Sequence, residues 1–136
     1  AYNLYRLAYA KVHYPEAYRK VIESNTISSN MSAKSDYIVI IDAGQACICN
    51  QYGGVRNRVG EYGATSTNIS SDREYFVVSY RDYVCLFRWD GAMFRRICPG
   101  FYVAGAYFSG SNRVVINKVG GGGGIFNFDG GLNTSF

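Results

Sequence analysis

Four cysteines, one histidine and a sparse set of carboxylates are the residues of this 136-residue chain best suited to covalent or metal chemistry. Cys47 and Cys49 lie two apart on one face of an expected strand, and with Cys98 they could hold a metal. Zinc sites more often use two intervening residues and tight turns. The thiols therefore read as small buried hydrophobes, which favours a reducing, cytoplasmic setting. His13 is the sole histidine, with no nucleophile signature beside it. Asp42, Asp72, Asp82, Asp90 and Asp129 mostly fall in expected turns, where the carboxylate bonds the local backbone. Glu61 and Glu74 are the candidates for a facing acid pair of the glycosidase kind, and nothing in their spacing supports one. The expectation is a non-enzymatic protein with no cofactor and no metal.

Binding is better represented. Arg56, Arg58, Arg95 and Arg96 recur in corresponding strands and, with Arg73, Arg81, Arg88 and Arg113, could form an electropositive ridge. Interleaved with Tyr75, Tyr80, Tyr83, Tyr102 and Tyr107, such a ridge suits nucleic acid or an acidic protein surface. The plainer reading is a solvated outer strand whose cations guard a sheet edge. It is favoured here because 14 Lys and Arg against 10 Asp and Glu leave a net charge of only +4. Tyr and Arg also dominate protein–protein hot spots. The candidate binding set is Arg56, Arg58, Arg95, Arg96, Tyr80, Tyr83, Trp89 and Tyr102.

The elements that must position these residues are written in the composition. Aromatics reach 16%, with 13 Tyr, and 16 Gly stand against two Pro. Tyr, Val and Ile among many glycines make a strand-and-turn chain. Only 18% of residues are charged and 48% are apolar, which argues against a disordered tail. No apolar run approaches the roughly 18 residues needed to span a bilayer, so no membrane partner is expected.

A period runs through the chain. Ser29-Asn30-Met31-Ser32 matches Thr67-Asn68-Ile69-Ser70, an offset of 38 residues. The same offset lays Tyr37-Ile38-Val39-Ile40 on Tyr75-Phe76-Val77-Val78, and Cys47-Ile48-Cys49 on Cys85-Leu86-Phe87. A second step carries Phe76-Val77-Val78 to Val114-Val115-Ile116, and one inserted residue then brings Trp89-Asp90-Gly91 onto Phe128-Asp129-Gly130. Within the second unit, strands are expected over 64–70, 75–79, 84–88 and 93–97, punctuated by Arg81-Asp82, Asp90-Gly91 and Pro99-Gly100. Such a unit cannot bury its faces alone.

At these residues the chain resembles the β-propeller repeat families, both the WD-repeat and the quinoprotein-like kind. Val84 to Gly91 is similar to their third strand with its terminal turn, and Phe108 to Val115 to the turn between their first and second strands. The resemblance covers about Ile27 to Leu132. It departs in lacking the Gly-His element of WD repeats and in offering three units where propellers typically use four to eight blades. It implies an all-β chain of four-stranded antiparallel repeats over 26–63, 64–101 and 102–136, one domain with residues 1–25 as a capping segment. A Cys47–Cys85 disulfide is not expected, because stacked sheets lie about 10 Å apart.

The two ends differ. Leu4, Leu7, Ala8, Lys11, Tyr18, Val21 and Ile22 follow helical spacing, and Pro15-Glu16 suits a helix start. The competing reading extends the repeat backwards as strand. Gly120 to Gly124 reads as a floppy hairpin turn, with an anion-binding nest as its functional alternative. The last unit is expected to stop before its fourth strand is complete. Raw blade faces and edges attract other chains. The expected role is therefore binding or scaffolding, through self-association into a homo-oligomer or docking to a larger protein. The alternatives are a propeller-type lectin, with Trp89 stacking on a glycan, and a nucleic-acid-binding accessory protein. Asn30, Asn68 and Asn133 match the glycosylation acceptor pattern, but no signal peptide is visible.

Overall fold

The computed structural model describes residues 38–49, 55–70, 74–88, 90–110 and 112–136. The expected helix over 1–25, His13, Arg73 and Trp89 lie outside them. Everything described is strand, turn or irregular loop, so the described part of the chain is all-β. Three antiparallel meanders follow one another. The first sheet holds β1 (Ile38–Asp42), β2 (Gln45–Cys49) and β3 (Val55–Val59). The second holds β4 (Ser66–Ile69), β5 (Tyr75–Ser79), β6 (Val84–Arg88) and β7 (Met93–Ile97). The third holds β8 (Val103–Ser109), β9 (Arg113–Lys118), β10 (Gly123–Asn127) and β11 (Leu132–Ser135). The fourth strand expected to be incomplete is therefore present: β11 pairs with β10, and Phe136 exchanges two backbone hydrogen bonds of 3.1 Å with Gly123.

The turns explain where strands end. Asp90 accepts a 2.9 Å bond from the Ala92 amide, and Asp129 accepts one of 2.8 Å from the Gly131 amide. In both turns the following glycine, Gly91 or Gly130, holds φ near +92°, a conformation that costs a residue with a Cβ. Space matters as well at Gly91, where a Cβ would press on Asn57 and Val59 at 3.2 Å. A register shift recurs between the last two strands of each sheet, at Ile48/Cys49, Leu86/Phe87 and Ile125/Phe126. One extra residue there twists the outer strand of each sheet.

Burial follows strand alternation. Phe76, Val78, Tyr80, Cys85 and Phe87 meet Val39, Ala46, Ile48 and Val59 in a core between the first and second sheets. Val77, Val84, Leu86 and Ile97 meet Val103, Ala106, Val114, Ile116 and Phe126 in a core between the second and third. The second sheet is thus covered on both faces, which is why β5 and β6 read as continuous apolar runs. Polar latches reinforce the stack. Asn57 Nδ2 donates to the Asp90 carbonyl, and Arg95 Nε to the Phe128 carbonyl, each at 3.3 Å. Asn68 Nδ2 reaches the Ala106 carbonyl at 3.1 Å.

The first glycines of the run form the expected hairpin turn, between β9 and β10, and backbone hydrogen bonds close it. Lys118 N donates to the Gly122 carbonyl at 2.8 Å and Gly121 N to the Lys118 carbonyl at 3.1 Å. Gly123 and Gly124 already belong to β10.

Candidate functional site

The strongest side-chain constellation lies at one rim of the second sheet. Glu61, in the connection from β3 to β4, faces the β5–β6 turn and the end of β7. The Tyr83 hydroxyl donates to Glu61 Oε2 at 3.1 Å, and Arg96 Nη1 reaches Glu61 Oε1 at 3.4 Å. The Arg96 guanidinium carbon sits 3.8 Å from the Tyr83 ring centroid. Tyr83 in turn stacks on Tyr80, with centroids 4.5 Å apart and planes 12° from parallel. Tyr80 closes the set by donating its hydroxyl to the Glu61 carbonyl at 3.1 Å. Each contact on this open rim is modest in energy, but together they fix where Arg96 stands.

Beside this cluster opens a groove of about 700 Å³ between the second and third sheets. Tyr83 and Arg96 form one wall, Phe101 and Tyr102 another, with Asp82 and Lys118 at its edges. Tyr102 is exposed, and the Arg81 guanidinium carbon lies 4.6 Å from its ring centroid. The exposed Cys98 thiol also lines the groove.

The sequence-derived candidates separate on this frame. Tyr83, Arg96 and Tyr102 come together at the groove. Tyr80 is a core residue at 2% exposure, serving as the platform beneath Tyr83. Arg95 projects away from the groove into its latch with the third sheet. Arg58 is exposed on β3, where its Nη1 donates to Cys47 Sγ at 3.1 Å. Arg56 occupies β3, and Trp89 falls outside the described residues. Glu61, Phe101 and Lys118 were not singled out as binding residues. A carboxylate in a connection 22 residues from its tyrosine partner carries no local sequence signal.

Burial raises three acids here: Tyr83, helped by its hydrogen bond to Glu61, and, with the larger shifts, Tyr80 and Cys85. Desolvation, helped by charge on Cys85 and Tyr83, pushes the Tyr80 hydroxyl from 10.0 up to about 12. Desolvation also raises the Cys85 thiol from 9.0 to about 11, against the pull of Arg96. Both groups keep their protons when folded at a pH where the unfolded chain has lost them. Their stabilisation is therefore complete below pH 9 and declines as pH rises through about 11 and 12. The unfolding free energy read from urea titrations is expected to fall across that window, by on the order of 2 kcal/mol for each group. Tyr80→Phe should flatten the upper part of the decline; an identical pH profile for the variant would remove Tyr80 as its source.

A second feature is the outward face of the third sheet. Val77, Leu86, Val84 and Ile97 of the second sheet correspond in register to Val115, Ile125, Gly123 and Phe136. The former set is buried against the third sheet. In the latter set Val115 is buried and Ile125 half-buried, while exposure reaches 57% at Phe136, against 2% at Ile97. Opposite Val115 stands the exposed Tyr107, where the second sheet has the latching Asn68 opposite Val77.

No protein-family model and no curated protein matches the chain. Solved structures do. Hydrazine synthase of Kuenenia stuttgartiensis superimposes with a TM-score of 0.64 at 11% identity, over 77% of this chain. Hsv2 of Kluyveromyces lactis does so with a TM-score of 0.56 at 10% identity, over 79% of this chain. Stacked antiparallel sheets of this kind fit a propeller-like fold. At these identities the likeness concerns fold alone. The chain spans 35% of the length of either structure.

Proposed function

We propose that this chain is a non-enzymatic scaffold that associates through the outward face of its third sheet, with a second copy of itself as the partner. The observation that carries this reading is the register equivalence of Phe136 with Ile97. The same position that is 2% exposed between two sheets is 57% exposed at the end of the stack. Exposed Tyr107 and Phe136, with half-buried Ile125, face no sheet among the described residues, and exposed apolar surface of this kind suits an interaction site. Two identical faces related by a two-fold axis are self-complementary. Aligned sheets bury such rows at about 10 Å spacing.

Light scattering behind a sizing column at two concentrations tests this. The expected result is a mass twice 15.1 kDa that returns towards the monomer in an Ile125→Asp variant. A concentration-independent monomer of the unaltered chain would refute self-association.

A further inference from the structure

We infer that the groove between the second and third sheets is a recognition site for an acidic peptide segment carrying aromatic anchors. The site is built from the second and third sheets' facing rims, so it stands or falls independently of association through the third sheet's outer face.

The first argument is the arrangement of cations. Arg96 is held over the Tyr83 ring and against Glu61, yet 46% of its side chain is exposed. A guanidinium has five N–H donors in a fixed fork, and the Glu61 contact uses Nη1 alone among the carboxylate bonds. Apart from a hydrogen bond with the Cys98 side chain, the remaining donors are prepositioned, which lowers the entropic cost of binding. Across the groove Lys118 is exposed and has no carboxylate partner among the described residues. Its backbone is fixed on both sides, by Lys118 N to the Gly122 carbonyl and Gly121 N to the Lys118 carbonyl. Asp82 is the one acid in the lining, and Glu61 stands against Arg96. With Arg81 over the Tyr102 ring, three cations face two carboxylates at the groove, and that excess favours an anionic occupant.

The second argument is the apolar surface between those charges. Tyr102 is 56% exposed, and Phe101 is half-buried beside it. Val119 N donates to the Tyr102 carbonyl at 2.9 Å, which ties this aromatic wall to the strand end carrying Lys118. A volume near 700 Å³ accommodates a few side chains, and a mostly apolar cleft with a few placed polar groups is the usual form of a binding site. Tyr and Arg at its centre are the residue types that contribute most per contact.

These features favour a peptide over a nucleic acid. Nucleic-acid binding draws its affinity from many phosphate contacts along a basic track. Arg96, Lys118 and the neighbouring Arg81, set against Asp82 and Glu61, do not make such a track, but their small excess suits a carboxylate beside an aromatic side chain.

The test uses the full chain and a panel of fluorescein-labelled dodecapeptides, each with four carboxylates and two aromatic residues. Fluorescence anisotropy should detect binding, and peptides with lysine in place of each acid should not bind. Lys118→Gln, an exposed substitution with no packing consequence, is expected to weaken the best peptide about tenfold, and Tyr102→Ala by a similar factor. Arg96→Gln should do the same while the thermal midpoint of each variant confirms folding. Failure of the whole panel to bind would overturn the inference. So would equal binding of the lysine peptides, affinity unchanged in Lys118→Gln and Tyr102→Ala, or tighter binding of a labelled ten-nucleotide oligo-dT than of any peptide.

Discussion

Replacing Gly123 with valine is expected to break the third sheet. Gly123 has φ of +155°, and a Cβ built there would overlap the Ile116 carbonyl oxygen on the neighbouring strand. That oxygen belongs to backbone, so no rotamer change can clear it. Gly123 is also bonded on its other side, exchanging two 3.1 Å hydrogen bonds with Phe136. Any side chain must therefore push β9 away from β10 or abandon pairing with the last residue. Its neighbour Gly122 is nearly as constrained, with a Cβ position 2.8 Å from the Phe136 carbonyl oxygen. We expect a loss on the order of 3 kcal/mol or more, from combined backbone strain and broken pairing. Gly121→Ala is the matched control. It shares a positive φ of +111° but has nothing within 4 Å of its Cβ position, so it should lose only about 1–2 kcal/mol. Urea unfolding of both variants decides the matter: equal midpoints would show that the close approach of β9 to β10 is not as described.

The second large effect is expected from Phe76→Ala. Phe76 is fully buried and lies among the side chains that join the first sheet to the second. Its ring stacks on Phe87, centroids 5.3 Å apart and planes 15° from parallel. Truncation removes both the transfer free energy of the ring and its packing partners, leaving a cavity that two flanking sheets cannot both collapse into. Such changes cost about 3–5 kcal/mol. For a chain of this length that corresponds to a fall in thermal midpoint of roughly 10 °C or more. Phe76→Leu should recover more than half of the loss. A fall of only a degree or two for the alanine variant would mean that the first two sheets do not pack through this residue.

Several structural features could be read directly from the chain. The 38-residue spacing between Phe76-Val77-Val78 and Val114-Val115-Ile116 places the second strand of one four-stranded sheet on the second strand of the next. Asp90-Gly91 and Asp129-Gly130 mark turns through local chemistry, a side-chain acceptor two residues before an amide and a glycine that tolerates positive φ. The all-β class follows from the same signals, because alternation and turn residues act over a few positions.

Other features could not be read this way. Arg95 and Arg96 are adjacent on an outer strand and indistinguishable by type. Strand alternation sends one to the Phe128 carbonyl of the third sheet and the other over Tyr83. Tyr80 and Tyr83 looked alike as surface aromatics, yet one is buried beneath the other. The five-glycine run showed only that flexibility was allowed, whereas Ile116 and Phe136 show where a side chain is forbidden.

By itself, then, the sequence determined the class of the chain, its strands and its period, since those depend on side-chain alternation and turn chemistry over short separations. The tertiary structure alone decided which arginine is a latch and which stands at a groove, why Gly123 must be glycine, and that Glu61 anchors the rim. Each of those depends on distances between segments tens of residues apart, and only the stacking of one sheet on the next sets them.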